Sequence, residues 1–349
     1  MAFEKVKELI KTAPDYAQMI DLASAQLGGK VLYATDDFFA EKENLLLKGR
    51  GIFISDKYTD RGKWMDGWES RRKRTPGHDW AVIQLATPGK IPGFDIDTNF
   101  FLGNHPPHAS VEAVYLSNSN TVGDLPAGQA GWENIAWREI LEKSHLDAGS
   151  QNFYESKSDD IFTHIRLHIY PDGGVARFRV YGEVVKDWNA IAPEQEIDLA
   201  AAIHGGKALA CNDMFFSAMD NLIMPNRGAN MGDGWETKRN RSPGNRDWVI
   251  LKLATAGTID RIVVDTCHFK GNYPDTCSIE ACLSKKDKAV MKDKVEWKTI
   301  LGPQKLSADA EHEYVKEITN KNVYSHVRLN IFPDGGISRL RLFGRKQSL

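Results

Sequence analysis

Two stretches of this sequence hold residue types fit for anion binding and acid–base chemistry. Residues 66–80 read D-G-W-E-S-R-R-K-R-T-P-G-H-D-W, and residues 103–108 read G-N-H-P-P-H. In the first, Asp66 and Glu69 can accept N–H groups. They stand beside Arg71, Arg72, Lys73 and Arg74, and a guanidinium is the natural bidentate partner of a carboxylate. Three arginines cannot all hold one small anion. At least one is expected in a structural ion pair, with Lys73 solvated and a single Arg binding the ligand. In the second stretch, Asn104 precedes His105 and His108, which flank a stiff Pro-Pro. Two imidazoles fixed this way suit a general acid/base pair or two ligands of a divalent metal. The plainer alternative is an exposed polar turn. Asp97 and Glu112 are the carboxylates nearest in sequence that could complete either role.

The same pattern returns at residues 233–248 as D-G-W-E-T-K-R-N-R-S-P-G-N-R-D-W, with Glu236 and Arg239 in the places of Glu69 and Arg72. The H-I-R-L-H-I-Y-P-D-G-G block at His164 also returns, at His326. Recurrence over this length means a tandem duplication. Trp68 and Trp80 then read as core anchors of the motif loop. His164 and Arg166 recur as His326 and Arg328, which fits either a strand-face role or one site per copy. The copies differ in their histidines: His78, His105, His108 and His168 become Asn245, Tyr273, Thr276 and Asn330. If these histidines carry chemistry, only the first copy is fully equipped.

The elements that must position these residues are short. Residues 80–85, 94–98 and 110–116, with 248–253, 262–266 and 278–283 in the second copy, are β-branched or aromatic runs bounded by turns and read as strands. Residues 87–89 and 255–257 read as turns. The Pro-Asp-Gly-Gly sequences read as hairpin turns between alternating strands, with Ile165, Leu167 and Ile169 on one face. Val6, Leu9 and Ile10 suggest one short helix over residues 1–11. Few helices, short strands and long loops make an all-β sandwich, and the spacing suits a jelly roll. The expected division is 1–185, a linker 186–196 holding Trp188 and Pro193, and 197–349.

The 349 residues carry a net charge of -2 and are 42% hydrophobic, which suits two globular domains and argues against a dedicated nucleic-acid binder. No apolar run approaches a membrane span and residues 1–30 show no secretory pattern, so a cytoplasmic protein with no membrane partner is expected. The four cysteines all lie in the second half and match no zinc spacing, so they read as reduced structural thiols. Cys267 beside His268 is the one hint of a metal among them. No nucleotide loop or nucleophile elbow is present.

Three blocks carry a family resemblance: G-G-K-V-L-Y-A-T-D-D-F-F at residues 28–39, the motif at 66–80, and H-I-R-L-H-I-Y-P-D-G-G-V-A-R-F-R-V-Y-G at 164–182. They resemble allantoicase, over nearly the whole chain and including the duplication. The resemblance implies two galactose-binding-like jelly rolls, a homo-oligomer, and hydrolysis of allantoate to ureidoglycolate and urea in purine degradation. Allantoate is a carboxylate on a carbon bearing two ureido groups. It needs a cation for the carboxylate, acceptors for ureido N–H groups, an acid for the leaving nitrogen and a base for water. His105, His108 and Glu69 are the catalytic candidates. Asp66, Arg71, Arg72, Arg74, Asn104, Arg166, Glu236 and Arg239 are the substrate-binding ones. No cofactor is certain; a divalent metal on His105 and His108 is the one to test. The alternative is a non-catalytic jelly roll that binds a small acidic or sugar ligand.

Overall fold

The computed structural model describes residues 13–117 and 128–347, so the helix expected over residues 1–11 lies outside them. Each copy is built on one 19-residue strand, Asp79–Asp97 and then Asp247–Asp265. The turns expected at 87–89 and 255–257 do not form, because the strand bends there without ending. Its first part pairs with Lys30–Ala34 and Ile161–Tyr170, and its last part with Gln151–Glu155 and Arg177–Val184. The register slips between Phe162 and His164 and between Tyr181 and Glu183, which marks the bend. Pro88 and Pro92 fall on it, where a missing N–H is tolerated.

The second correction concerns the expected hairpin. Ile161–Tyr170 and Arg177–Val184 do not pair with each other; each pairs with its own part of the long strand. After the Pro-Asp-Gly-Gly turn, Gly174–Val175 pairs with Trp68–Glu69 instead of closing a ladder. That detour carries the chain from one layer to the other.

The first layer continues from Ile161–Tyr170 to His108–Val114 and Arg138–His145. Ala81, Ile83, Val111, Ile165, Leu167 and Ile169 meet Phe94, Ile96, Phe178 and Val180 of the second layer in one buried core. Each such aliphatic or aromatic side chain contributes about 1.5–3 kcal/mol on burial. The second copy repeats the strand order throughout, giving an all-β tandem of antiparallel sandwiches.

The chain divides into two compact units after Val185, and residues 186–196 belong with the second. There Trp188 accepts a hydrogen bond from Lys346 through its carbonyl. Trp68 and Trp235 are fully buried and donate from Nε1 to the Asp36 and Asp213 carbonyls at 2.7 and 2.8 Å, so they are anchors. The four cysteines are free thiols, three of them buried. Among the described residues, no helix is long and apolar enough to cross a membrane.

Candidate active site

The Trp68–Glu69 pairing sets Glu69 against the turn after Ile161–Tyr170. The loop bearing Asn104 reaches the same place, with Gly174 N–H donating to the Asn104 carbonyl at 2.8 Å. Gly173 makes this approach possible. Its φ is +137°, and a Cβ there would lie 2.6 Å from the Asn104 oxygen. Gly335 repeats the arrangement at φ +136°, with Asn272 as neighbour. The outcome is a carboxylate–amide dyad in each copy: Asn104 Nδ2 donates to Glu69 Oε1 at 2.7 Å, and Asn272 Nδ2 to Glu236 Oε1 at 2.5 Å. Burial pushes the Glu69 carboxyl above its ordinary value, against the pull of the Asn104 hydrogen bond.

Glu236 and Asn272 line a cleft of about 600 Å³ together with Arg239, Phe216, Tyr273 and Asp334. Arg239 is exposed, as is Arg72 at the matching position of the first copy. Neither forms an ion pair among the described residues. Their neighbours are occupied instead. Arg71 Nε donates to Asp36 Oδ2 at 2.7 Å and its guanidinium lies 5.1 Å from the Phe38 ring, while Lys238 pairs with Asp213 at 3.6 Å. At the matching pair Arg71/Arg72 and Lys238/Arg239, the first cation is tied to an aspartate and the second forms no ion pair among the described residues.

The other candidates fall in several places. Asp66 is buried, accepting from Arg177 Nη2 at 2.8 Å and from Ile52 N–H at 2.8 Å, and so works inside the fold. Lys73, expected to be solvated, pairs with the buried Asp79 at 2.6 Å because burial leaves that carboxylate in need of a cation. Arg74 is exposed. Arg166 lies away from the dyad. It donates to Glu112 at 2.7 Å and stacks 5.3 Å from Trp80 and 4.8 Å from Trp137. Arg328 repeats this on Glu280 at 2.9 Å and Trp297 at 4.5 Å, so the pair is common to both copies. His168 adds a bond to Glu112 at 2.8 Å and meets His78 at 2.8 Å; Asn330 takes its place on Glu280 at 3.0 Å.

His105 is half-buried, its Nδ1 buried without a hydrogen-bond partner among the described residues. It stands where Tyr273 stands in the cleft of the second copy. His108 instead packs its ring edge-on to His145 at 5.6 Å. No ring contact joins His105 to His108 among the described residues. No third His, Cys, Asp or Glu joins them in a ligand cluster either. Asp97, the other carboxylate in view, is held bidentately by Arg50 at 2.8 Å. Sequence reasoning missed Phe216 and Asp334 in the cleft. Their signal was the repetition of Phe-Phe after Asp36 and Asp213 and of Asp in both Pro-Asp-Gly-Gly turns.

Comparison with known proteins decides the family. The allantoicase-repeat family model matches residues 20–185 and again 197–347. The chain belongs to the allantoicase family. It is 48% identical over 335 residues to a probable allantoicase of Pseudomonas fluorescens (strain Pf0-1), covering 95% of this chain and 98% of that one. It is 48% identical over 339 residues to a probable allantoicase of Photobacterium profundum, covering 97% and 99%. The crystal structure of allantoicase from Saccharomyces cerevisiae superposes with a TM-score of 0.77 at 38% identity, over 93% of this chain and 92% of that one. As a member of this family, the chain is a hydrolase that cuts a C–N bond of allantoate, and that reading stands over the non-catalytic binding module.

Proposed function

We propose that Glu69 and Asn104 of the first copy, with Arg72, bind and hydrolyse allantoate. One observation carries this assignment. The second copy sets a glycine-enabled Glu–Asn dyad in one cleft with Arg239, and the first copy repeats the dyad and carries Arg72 at the matching position, neither arginine forming an ion pair among the described residues. Arg72 takes the allantoate carboxylate, and Asn104 and the main chain around the turn hold the ureido groups. Glu69 accepts a proton from water, whose oxygen bonds to the central carbon as the C–N bond breaks. His105 protonates the departing nitrogen, releasing urea and leaving ureidoglycolate. The elevated Glu69 pKa makes it a stronger base near neutrality than a solvated carboxylate. Atoms balance: the hydroxyl of water stays on carbon, and a proton ends on urea.

The second cleft has the same dyad and the same arginine but Tyr273 in place of His105, so it binds the anion without an imidazole acid. Urea release by the purified chain tests the assignment. Glu69→Gln should lower turnover at least about a hundredfold while leaving the fold intact; turnover near that of the parent would move the chemistry elsewhere. Running the assay with chelation and metal add-back reads metal dependence separately. We also propose a cytoplasmic protein, and a homo-oligomer, the latter supported by the exposed Ile52, Phe53, Tyr58 and Leu102 on the first unit. Native mass measurement checks the assembly.

A further inference from the structure

We infer that the second copy holds a site for a thiophilic divalent cation of the zinc class, made by Cys267, His268 and Asp309. One ligand atom from each lies within 4.8 Å of the other two, the only such group of three among the described residues. Tetrahedral zinc with bonds of about 2.0–2.3 Å sets its ligand atoms about 3.5 Å apart, so closure needs shifts of only about 1 Å. None of the three lines the cleft that holds Glu236 and Arg239.

The local chemistry is arranged for coordination. His268 Nε2 meets the Gly228 carbonyl at 2.7 Å. A carbonyl only accepts, so Nε2 carries the hydrogen and Nδ1 keeps its lone pair. A metal-ligating histidine is usually held in this way. Asp309 Oδ1 accepts the His268 backbone N–H at 2.7 Å, which fixes one ligand against the next. A thiolate, a carboxylate and a neutral imidazole sum to two negative charges, matching a divalent ion. On binding, Sγ passes its proton to solvent and forms the bond to the metal.

The first copy provides the control. Its backbone takes the same path: Phe100 has φ 66° against 71° for His268, and Gly149 has φ 63° against 51° for Asp309. At these positions it carries Asn99, Phe100 and Gly149. The left-handed conformations therefore belong to the fold and do not explain the residues of the second copy. There, all three positions carry a metal-ligand type. One of them, Asp309, accepts the strain of a side chain where glycine has none.

The test uses the full-length protein, stripped with chelator and titrated with cobalt(II), then with zinc. We expect one cobalt per chain, a near-ultraviolet thiolate-to-cobalt charge-transfer band, and its displacement by zinc. Cys267→Asn, His268→Phe and Asp309→Gly restore the residues of the first copy. The band should vanish in the first and affinity fall at least tenfold in the other two. Absence of the band in the parent protein overturns the site, as does a band undiminished in Cys267→Asn. Should Cys267→Asn fold poorly, Asp309→Gly decides, because glycine already occupies that backbone in the first copy; unchanged affinity there also overturns the site.

Discussion

Around one shared frame, the two copies place different side chains. Both hold the Glu–Asn dyad, the glycine that lets the loops meet, and an arginine with no ion pair among the described residues. The first adds His105 on the loop of Asn104 and joins His78 to His168, which bonds Glu112. The second substitutes Tyr273, Asn245 and Asn330, and adds cysteine, histidine and aspartate at a different loop. What the copies share is what a small carboxylate with ureido arms needs to be held. What they do not share is the imidazole that protonates the leaving nitrogen, or the three metal-ligand types at the second copy's loop. Duplication thus separates the groups shared for binding and base chemistry from the acid that only the first copy carries.

The largest expected effect tests that separation directly. Glu69→Gln should lower kcat by about 10²–10⁴, the usual contribution of a positioned acid or base. Glu236→Gln should leave kcat within a few-fold. Equal losses in a urea-release assay would make the copies chemical equals. Next comes the anion contact. Arg72→Ala should lower kcat/KM by about 10–100-fold, the value of a charge-assisted hydrogen bond of about 1.5–3 kcal/mol. The loss should appear mostly in KM, and Arg239→Ala should change the rate much less. His105→Tyr, which copies the second site into the first, should remove most turnover yet leave equilibrium binding of a carboxylate analogue within a few-fold; isothermal titration against initial rates separates the two.

The smallest effect concerns stability. Burial holds His164 down at about 4 from 6.5, and its Nε2 has no hydrogen-bond partner among the described residues. Its folded pKa is depressed, so the unfolded chain takes up the proton first. Stability is full above about 6.5 and is lost as pH falls from there towards about 4. His326 has Asp287 at 3.2 Å, which opposes the same burial. Amide exchange across this acid range should show the first unit loosening before the second. His164→Gln should remove the difference.

The sequence made the tandem, the β class and the motif loop legible because each rests on local pattern or on recurrence. Trp68 reads as an anchor from composition alone, and Ile165, Leu167 and Ile169 show their inward face by alternation. The long strand did not read through. Pro88 and Pro92 look like breaks until a bend between layers excuses them. Pro-Asp-Gly-Gly looks like a hairpin until the pairing of Gly174–Val175 is known. Among the site residues, Glu69, Asn104 and Arg72 are legible as types, but their meeting depends on Gly173 approaching the Asn104 carbonyl, a contact about 70 residues apart. Arg166 and Asp66 carried the right chemistry for the site, yet their partners are set by tertiary packing that no spacing reveals.

The bent strand Asp79–Asp97 has a consequence for history as well as for shape. Six other strands hang on it directly or through one neighbour, and they fall in both layers. Neither layer can assemble with its edge missing, so half a sandwich has no stable existence of its own. The smallest piece of gene that can be copied and still yield a folded product is one that spans the whole strand with everything clasped to it. That is the length repeated here. Inside a copy, the bend forbids subdivision, so the copy is the unit whose loop residues can differ while the frame stays the same.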